Sequence, residues 1–132
     1  MPIYSARSLK VLHSCCPELQ TLFMNVIHYT DVVLLSGYRG KEEQNRLFAE
    51  GASQKLFPDS KHNIFPSEGV DWAPYPIDWK DTGRFIFVAG RIAQLAAQLN
   101  IRIRWGGDWN MNERQTDERF RDIGHTEILR GV

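Results

Sequence analysis

The stretch SKHNIFPSEGVDWAP, Ser60–Pro74, decides how this chain is read. Its first part has neither helical nor alternating periodicity, and Pro66 removes a ladder donor from it. Its last part, GVDWA, suits a short strand that PYPIDW cannot continue, because two further prolines follow at once. A long loop carrying His62 therefore runs into a strand carrying Asp71. Loops of this length inside compact domains are usually functional or disordered.

Working outward toward the N-terminus, KEEQNRLFAEG is rich in helix formers and closes on Gly51, a natural residue just past a helix end. Before it, DVVLL is a β-branched and apolar run ending in SGYRG, a buried strand that stops at a glycine turn. Arg39 follows that turn, at a strand end where sites are commonly built. Further back, Pro17 fits a first helical turn, and Leu19, Leu22, Phe23, Val26 and Ile27 keep the spacing of one buried face. The expected helix spans about residues 16–28, with His13 beside its start and His28 capping its end or solvated.

Toward the C-terminus, TGRFIFVAGRIAQLAAQLN places Phe85, Val88, Ile92, Leu95, Ala96 and Leu99 on one helical face, with Asn100 at its end. IRIRW alternates as a half-buried strand, with Ile101, Ile103 and Trp105 on one side and Arg102 and Arg104 on the other. GGDWN turns it, and HTEIL alternates again, so that His125 and Glu127 share a face. Helices interleaved with short strands, and no repeats, predict an α+β fold: a small, largely antiparallel sheet with helices packed on one face.

Composition narrows the function. With 132 residues, 42% of them apolar, one domain with one core is expected over residues 1–132. Sixteen basic and sixteen acidic residues cancel, so no global field draws the protein to nucleic acid or to an anionic membrane. Cys15 and Cys16 are adjacent and cannot staple distant segments, so the fold does not depend on an oxidising compartment. The N-terminus lacks a signal-peptide apolar region, and no segment reaches the roughly 20 apolar residues that span a bilayer. Synthesis and retention in the cytoplasm, as a monomer with no membrane insertion, are expected.

Of four histidines, only His62 and His125 have acidic company. A catalytic zinc takes three protein ligands and leaves a fourth position for water, and His62, Asp71 and His125 can supply such a set if the fold brings them together. Structural histidines and a capping aspartate are the alternative, and Asp78 is the rival carboxylate; Asp71 is preferred because a strand would fix its direction. Asp122, three residues before His125, is either a proton acceptor or a turn residue ahead of Gly124. Arg39 is a fork for a substrate carboxylate or carbonyl, or a surface ion pair. Trp72, Trp79, Trp105 and Trp109 form either a binding wall or core. Asp108 either organises the GGDWN turn or holds a ligand histidine from behind.

SGYRG, SKH, VD.AP, GGDWN and D..H.E, in this order, resemble the zinc-dependent peptidoglycan peptidases related to D-alanyl-D-alanine carboxypeptidases. Within that group the chain is similar to the short single-domain bacteriophage endolysins that act as L-alanyl-D-glutamate endopeptidases, over about residues 17–129. The resemblance implies one zinc on His62, Asp71 and His125, and Ser60 orienting the loop. It implies hydrolysis of a stem-peptide amide in which Asp122 takes a proton from water and returns it to the leaving amine. Arg39 then steadies the substrate or the developing oxyanion, with Asp108 and Trp109 as supporting residues.

Peptidoglycan is the implied partner. The implied location is the host cytoplasm until a separate holin-type protein gives access to the wall. No cell-wall-binding module is expected beside the peptidase domain. A D,D-carboxypeptidase or dipeptidase releasing D-alanine, and a non-catalytic wall-binding protein on the same fold, are the other readings. Two departures stand out: eight residues, NIFPSEGV, separate His62 from Asp71 where the family has six, and Gly69 replaces its usual alanine.

Overall fold

Alternation along four short strands gives the protein a sheet with one apolar face and one polar face. The computed structural model describes residues 2–114 and 122–131. The strands are β1 (Val32–Ser36), β2 (Gly69–Pro74), β3 (Ile103–Trp105) and β4 (His125–Ile128), in the order β1-β2-β4-β3 with every neighbouring pair antiparallel. Val32, Leu34, Val70, Trp72 and Ile128 enter the core. The residues between them, Asp71, His125 and Glu127, are left for the other face, in a row where Ser36 pairs with Asp71 and Asp71 with His125. An irregularity between Leu34 and Ser36 aligns Ser36 with that row.

The apolar face is covered by helices. α1 (Ala6–His13) begins at Ser5, whose hydroxyl accepts from the Ser8 amide, and Ser8 in turn accepts from the Leu34 amide at 3.1 Å, fastening the helix to β1. This helix is absent from the sequence expectations, and it places His13 at a helix end instead of beside a start. α2 (Pro17–Val26) is shorter than the expected 16–28: Cys16 is its N-cap and Ile27 its C-cap, which leaves His28 exposed. Its Leu19, Leu22, Phe23 and Val26 are buried, each contributing about 1.5–3 kcal/mol.

α4 (Thr82–Gln98) is capped by Asp81 and buries Phe85, Val88, Ala89, Ile92 and Ala96, with Leu95 and Leu99 packed at the margin. Phe85 stacks on Trp72, ring centres 5.8 Å apart. The expected strand from Ile101 starts two residues later, because the Ile101 amide still bonds the Ala96 carbonyl at the helix exit. α3 (Lys41–Ala49) ends at Glu50 and Gly51, the latter at φ 79, as the sequence predicts. It borders the polar face of the sheet, with Glu43 and Leu47 lining the cleft described below. Both cysteines are free and buried. Among the described residues no helix is long and apolar enough to cross a membrane.

Candidate metal centre and its cleft

β2 and β4 set two donors side by side. Pairing of Asp71 with His125 puts Asp71 Oδ1 2.9 Å from His125 Nδ1. The third donor comes from the loop: a single 3₁₀ turn, Lys61–Asn63, is capped by Ser60, which accepts from the His62 amide while the Asn63 side chain accepts from the Ser60 amide. That turn delivers His62 Nε2 to 3.2 Å from Asp71 Oδ1 and 3.3 Å from His125 Nδ1.

The nitrogen each imidazole offers follows from the bond its other nitrogen makes. His62 Nδ1–H donates to the Gly37 carbonyl at 2.7 Å, which leaves Nε2 facing the cluster. His125 Nε2–H donates to Glu127 Oε1 at 3.0 Å, which leaves Nδ1 facing it. Glu127 Oε2 is held by Arg104 at 2.7 Å, from the strand position directly across the sheet. Asp71 is fixed likewise: Arg39 Nη2 donates to its outer oxygen, Oδ2, at 3.2 Å and leaves Oδ1 inward. Two imidazole nitrogens and one carboxylate oxygen thus converge, a set able to hold a divalent cation with a fourth position open.

Charge is distributed unevenly through the site. Burial would raise Asp71, but the two neighbouring imidazoles outweigh it and hold the carboxyl well below the usual range. Burial would lower His125, but its bonds to Asp71 and Glu127 hold it up at about 9. Glu127 is lowered to about 2, the bonds from His125 and Arg104 overcoming burial. Asp122 moves the other way, raised by burial and then by the charge of Asp71. It lines the same cleft, so the carboxylate readiest to accept a proton lies beside the three donors.

The cleft has a volume of about 960 Å³ and continues past the donors along α3 and residues 52–55. Arg39 is in it but is no surface ion pair: it is 7% exposed and tied to Asp71 and Gln44. Of the tryptophans, only Trp109 is a wall residue, with its ring 5.5 Å from that of His125 and Arg104 over its face at 5.6 Å. Trp72 is core, Trp105 packs at the core margin and Trp79 lies on Phe85.

Of the two readings of Asp108 the structure shows the first: its carboxylate accepts from the amides of Asn112 and Glu113 at 3.2 and 2.7 Å, so it organises the turn. The histidine supports are instead Glu127 and the Gly37 carbonyl. Asp78 is spent on the Lys80 amide, away from the donors. Gln44, Arg104 and Glu127 are the site residues that sequence reasoning missed. Only Glu127, sharing a strand face with His125, left a signal there.

Fold and site together define a small α+β protein whose cleft carries a three-donor set able to hold a divalent cation. The chain belongs to the family of phage L-alanyl-D-glutamate peptidases, whose family model matches residues 3–129. It is 31% identical, over a 134-residue alignment, to the L-alanyl-D-glutamate peptidase of Escherichia phage T5, covering 96% of this chain and 97% of that protein. Its fold is similar to that of the Serratia marcescens L-Ala D-Glu endopeptidase ChiX, with a TM-score of 0.76 at 22% identity over 96% of this chain and 89% of that one.

Proposed function

We propose that the protein is a zinc-dependent L-alanyl-D-glutamate endopeptidase that cleaves peptidoglycan stem peptides as a phage endolysin. The observation that carries this reading is the convergence of His62 Nε2, Asp71 Oδ1 and His125 Nδ1 within 3.3 Å, each fixed from behind, in a chain of this family. Nitrogen and carboxylate donors in this number fit a catalytic zinc site. His62, Asp71 and His125 would hold the ion, which supplies a Lewis acid for the scissile carbonyl and acidifies water.

Asp122 accepts the proton from the attacking water and returns it to the leaving amine, work suited to a carboxyl raised by burial and by Asp71. Arg39 keeps Asp71 oriented and places a positive charge at the cleft where the oxyanion develops. Ser60 sets the turn that presents His62, and Trp109 walls the cleft on the His125 side.

The test is to load the purified protein with zinc, digest purified peptidoglycan of the Gram-negative type, and identify the released termini by mass spectrometry. New N-terminal D-glutamate is the expected product. Free D-alanine would move the activity to carboxypeptidase chemistry, and no released terminus would reject the enzymatic reading.

A further inference from the structure

Gln44 is fully buried, at 0% exposure, and it lies in α3, outside the donor set. A buried amide is costly unless its donors and its acceptor are all satisfied. Here both ends are. Oε1 accepts from Arg39 Nη1 at 2.9 Å and from Asn63 Nδ2 at 3.2 Å. Nε2 donates to Ser53 Oγ at 2.9 Å and to the Lys55 carbonyl at 2.6 Å. The orientation is unambiguous, because a flipped amide would set its NH2 against two donors.

These contacts join three parts of the cleft. Arg39 lies between Gln44 and the outer oxygen of Asp71. Asn63 follows the donor His62, and it also donates to the Arg39 carbonyl at 2.9 Å while the Arg39 amide bonds the His62 carbonyl at 2.8 Å. Ser53 and Lys55 belong to the cleft's far wall. Helix propensity explains none of this, since any good helix former would serve α3 at this position.

We propose that Gln44 is a positioning residue for the hydrolysis: its carbonyl holds the Arg39 guanidinium against Asp71, and its amide holds the 53–55 wall against which the substrate lies. The catalytic part of this inference rests on the peptidase reading given above; the positional part does not.

The two halves of the amide are separable. Gln44→Met keeps the volume and loses both halves. Gln44→Glu keeps an acceptor for Arg39 and loses the donor to the wall. Steady-state kinetics on a stem-peptide substrate then read the split. Gln44→Met should lower kcat tenfold or more. Gln44→Glu should keep kcat within about threefold while KM rises at least threefold. In an Arg39→Met background, Gln44→Met should lower kcat little further, because the group it positions is gone. A purely structural glutamine would instead lower melting temperature in both variants, with no kcat difference between them and with additive effects.

A second measurement needs no activity. Arginine side-chain NMR should show separate, slowly rotating Nη signals for Arg39, identified by their loss in Arg39→Met. They should persist in Gln44→Glu and average in Gln44→Met. Resolved Arg39 signals in Gln44→Met, or a kcat within threefold of the parent, overturn the proposal. If Gln44→Met does not fold, a tenfold kcat loss or averaged Arg39 signals in Gln44→Glu overturn it instead. Should the parent protein cleave nothing, the NMR result decides the positional inference alone, and the failure belongs to the peptidase reading.

Discussion

Replacing Glu127 by glutamine changes one atom and should cost metal affinity through a proton two bonds of the network away. The carboxylate is 2% exposed and accepts on both sides, from His125 Nε2 at 3.0 Å and from Arg104 at 2.7 Å. An amide has one acceptor. If its oxygen turns to His125, the NH2 meets Arg104, donor against donor; if the oxygen turns to Arg104, the NH2 meets His125 Nε2. In the second case Nε2 must accept, the ring proton moves to Nδ1, and the atom that faces Asp71 loses its lone pair. Either outcome weakens what holds the ring, and supports of this kind are worth about 10- to 100-fold in metal affinity, or about 1.4–2.7 kcal/mol. Competition against a chromophoric zinc chelator at fixed pH measures it. Binding within threefold of the parent, with the fold intact by circular dichroism, would refute the argument that Glu127 selects the His125 tautomer.

Asp122→Asn should keep metal at full stoichiometry and lower kcat about 100- to 10,000-fold, since the three donors remain and the proton acceptor goes; loss of metal would make Asp122 a ligand. Gly124→Ala should destabilise by about 3 kcal/mol or more, because a Cβ there would stand 2.3 Å from the Trp72 carbonyl oxygen, an atom of the strand backbone. Urea unfolding reads that change, and a shift under 1 kcal/mol contradicts the packing. Stability should also fall above about pH 9. Burial raises the Cys15 thiol from 9.0 to about 12, so between those values the folded state keeps a proton that the unfolded chain has released. Unfolding then gains up to about 1.4 kcal/mol per pH unit from this one group, and Cys15→Ala should flatten that part of the pH profile.

Local pattern carried the sheet because its strands are short and each advertises itself: the apolar run at Val32–Leu35, the alternation through Ile103–Trp105, and His125 with Glu127 on one face. The preference for Asp71 over Asp78 followed from the same source, since a strand residue has a fixed direction and a loop residue just past Pro76 does not. What stayed hidden depends on partners far along the chain. α1 is short and largely polar on its outer side, and what anchors it is a serine meeting the Leu34 amide 26 residues away. Gln44 reads as an ordinary helix former until Arg39, Asn63 and residues 53–55 close around it. Arg104 alternates as any exposed strand arginine does; only the register with Glu127 makes it part of the site.

The eight-residue spacing between His62 and Asp71 is explained by which parts of the loop are fixed. Asp71 and His125 are aimed by strand pairing, whereas His62 must be aimed by separate contacts: the Ser60 cap, the Gly37 carbonyl and the bond between its own carbonyl and the Arg39 amide. The return to the sheet is fixed as well. Ser67 bonds Ser14 and Cys16 through its backbone and Gly69 through its hydroxyl, and the Glu68 amide bonds the Lys61 carbonyl at 3.2 Å. Between these two anchors lie Ile64, Phe65 and Pro66, all exposed, with Phe65 edge-on to Tyr38 at 5.2 Å. Added length in this loop therefore bulges outward over the surface and leaves the donor geometry alone, which is how eight intervening residues still deliver His62 to the three-donor cluster with Asp71 and His125.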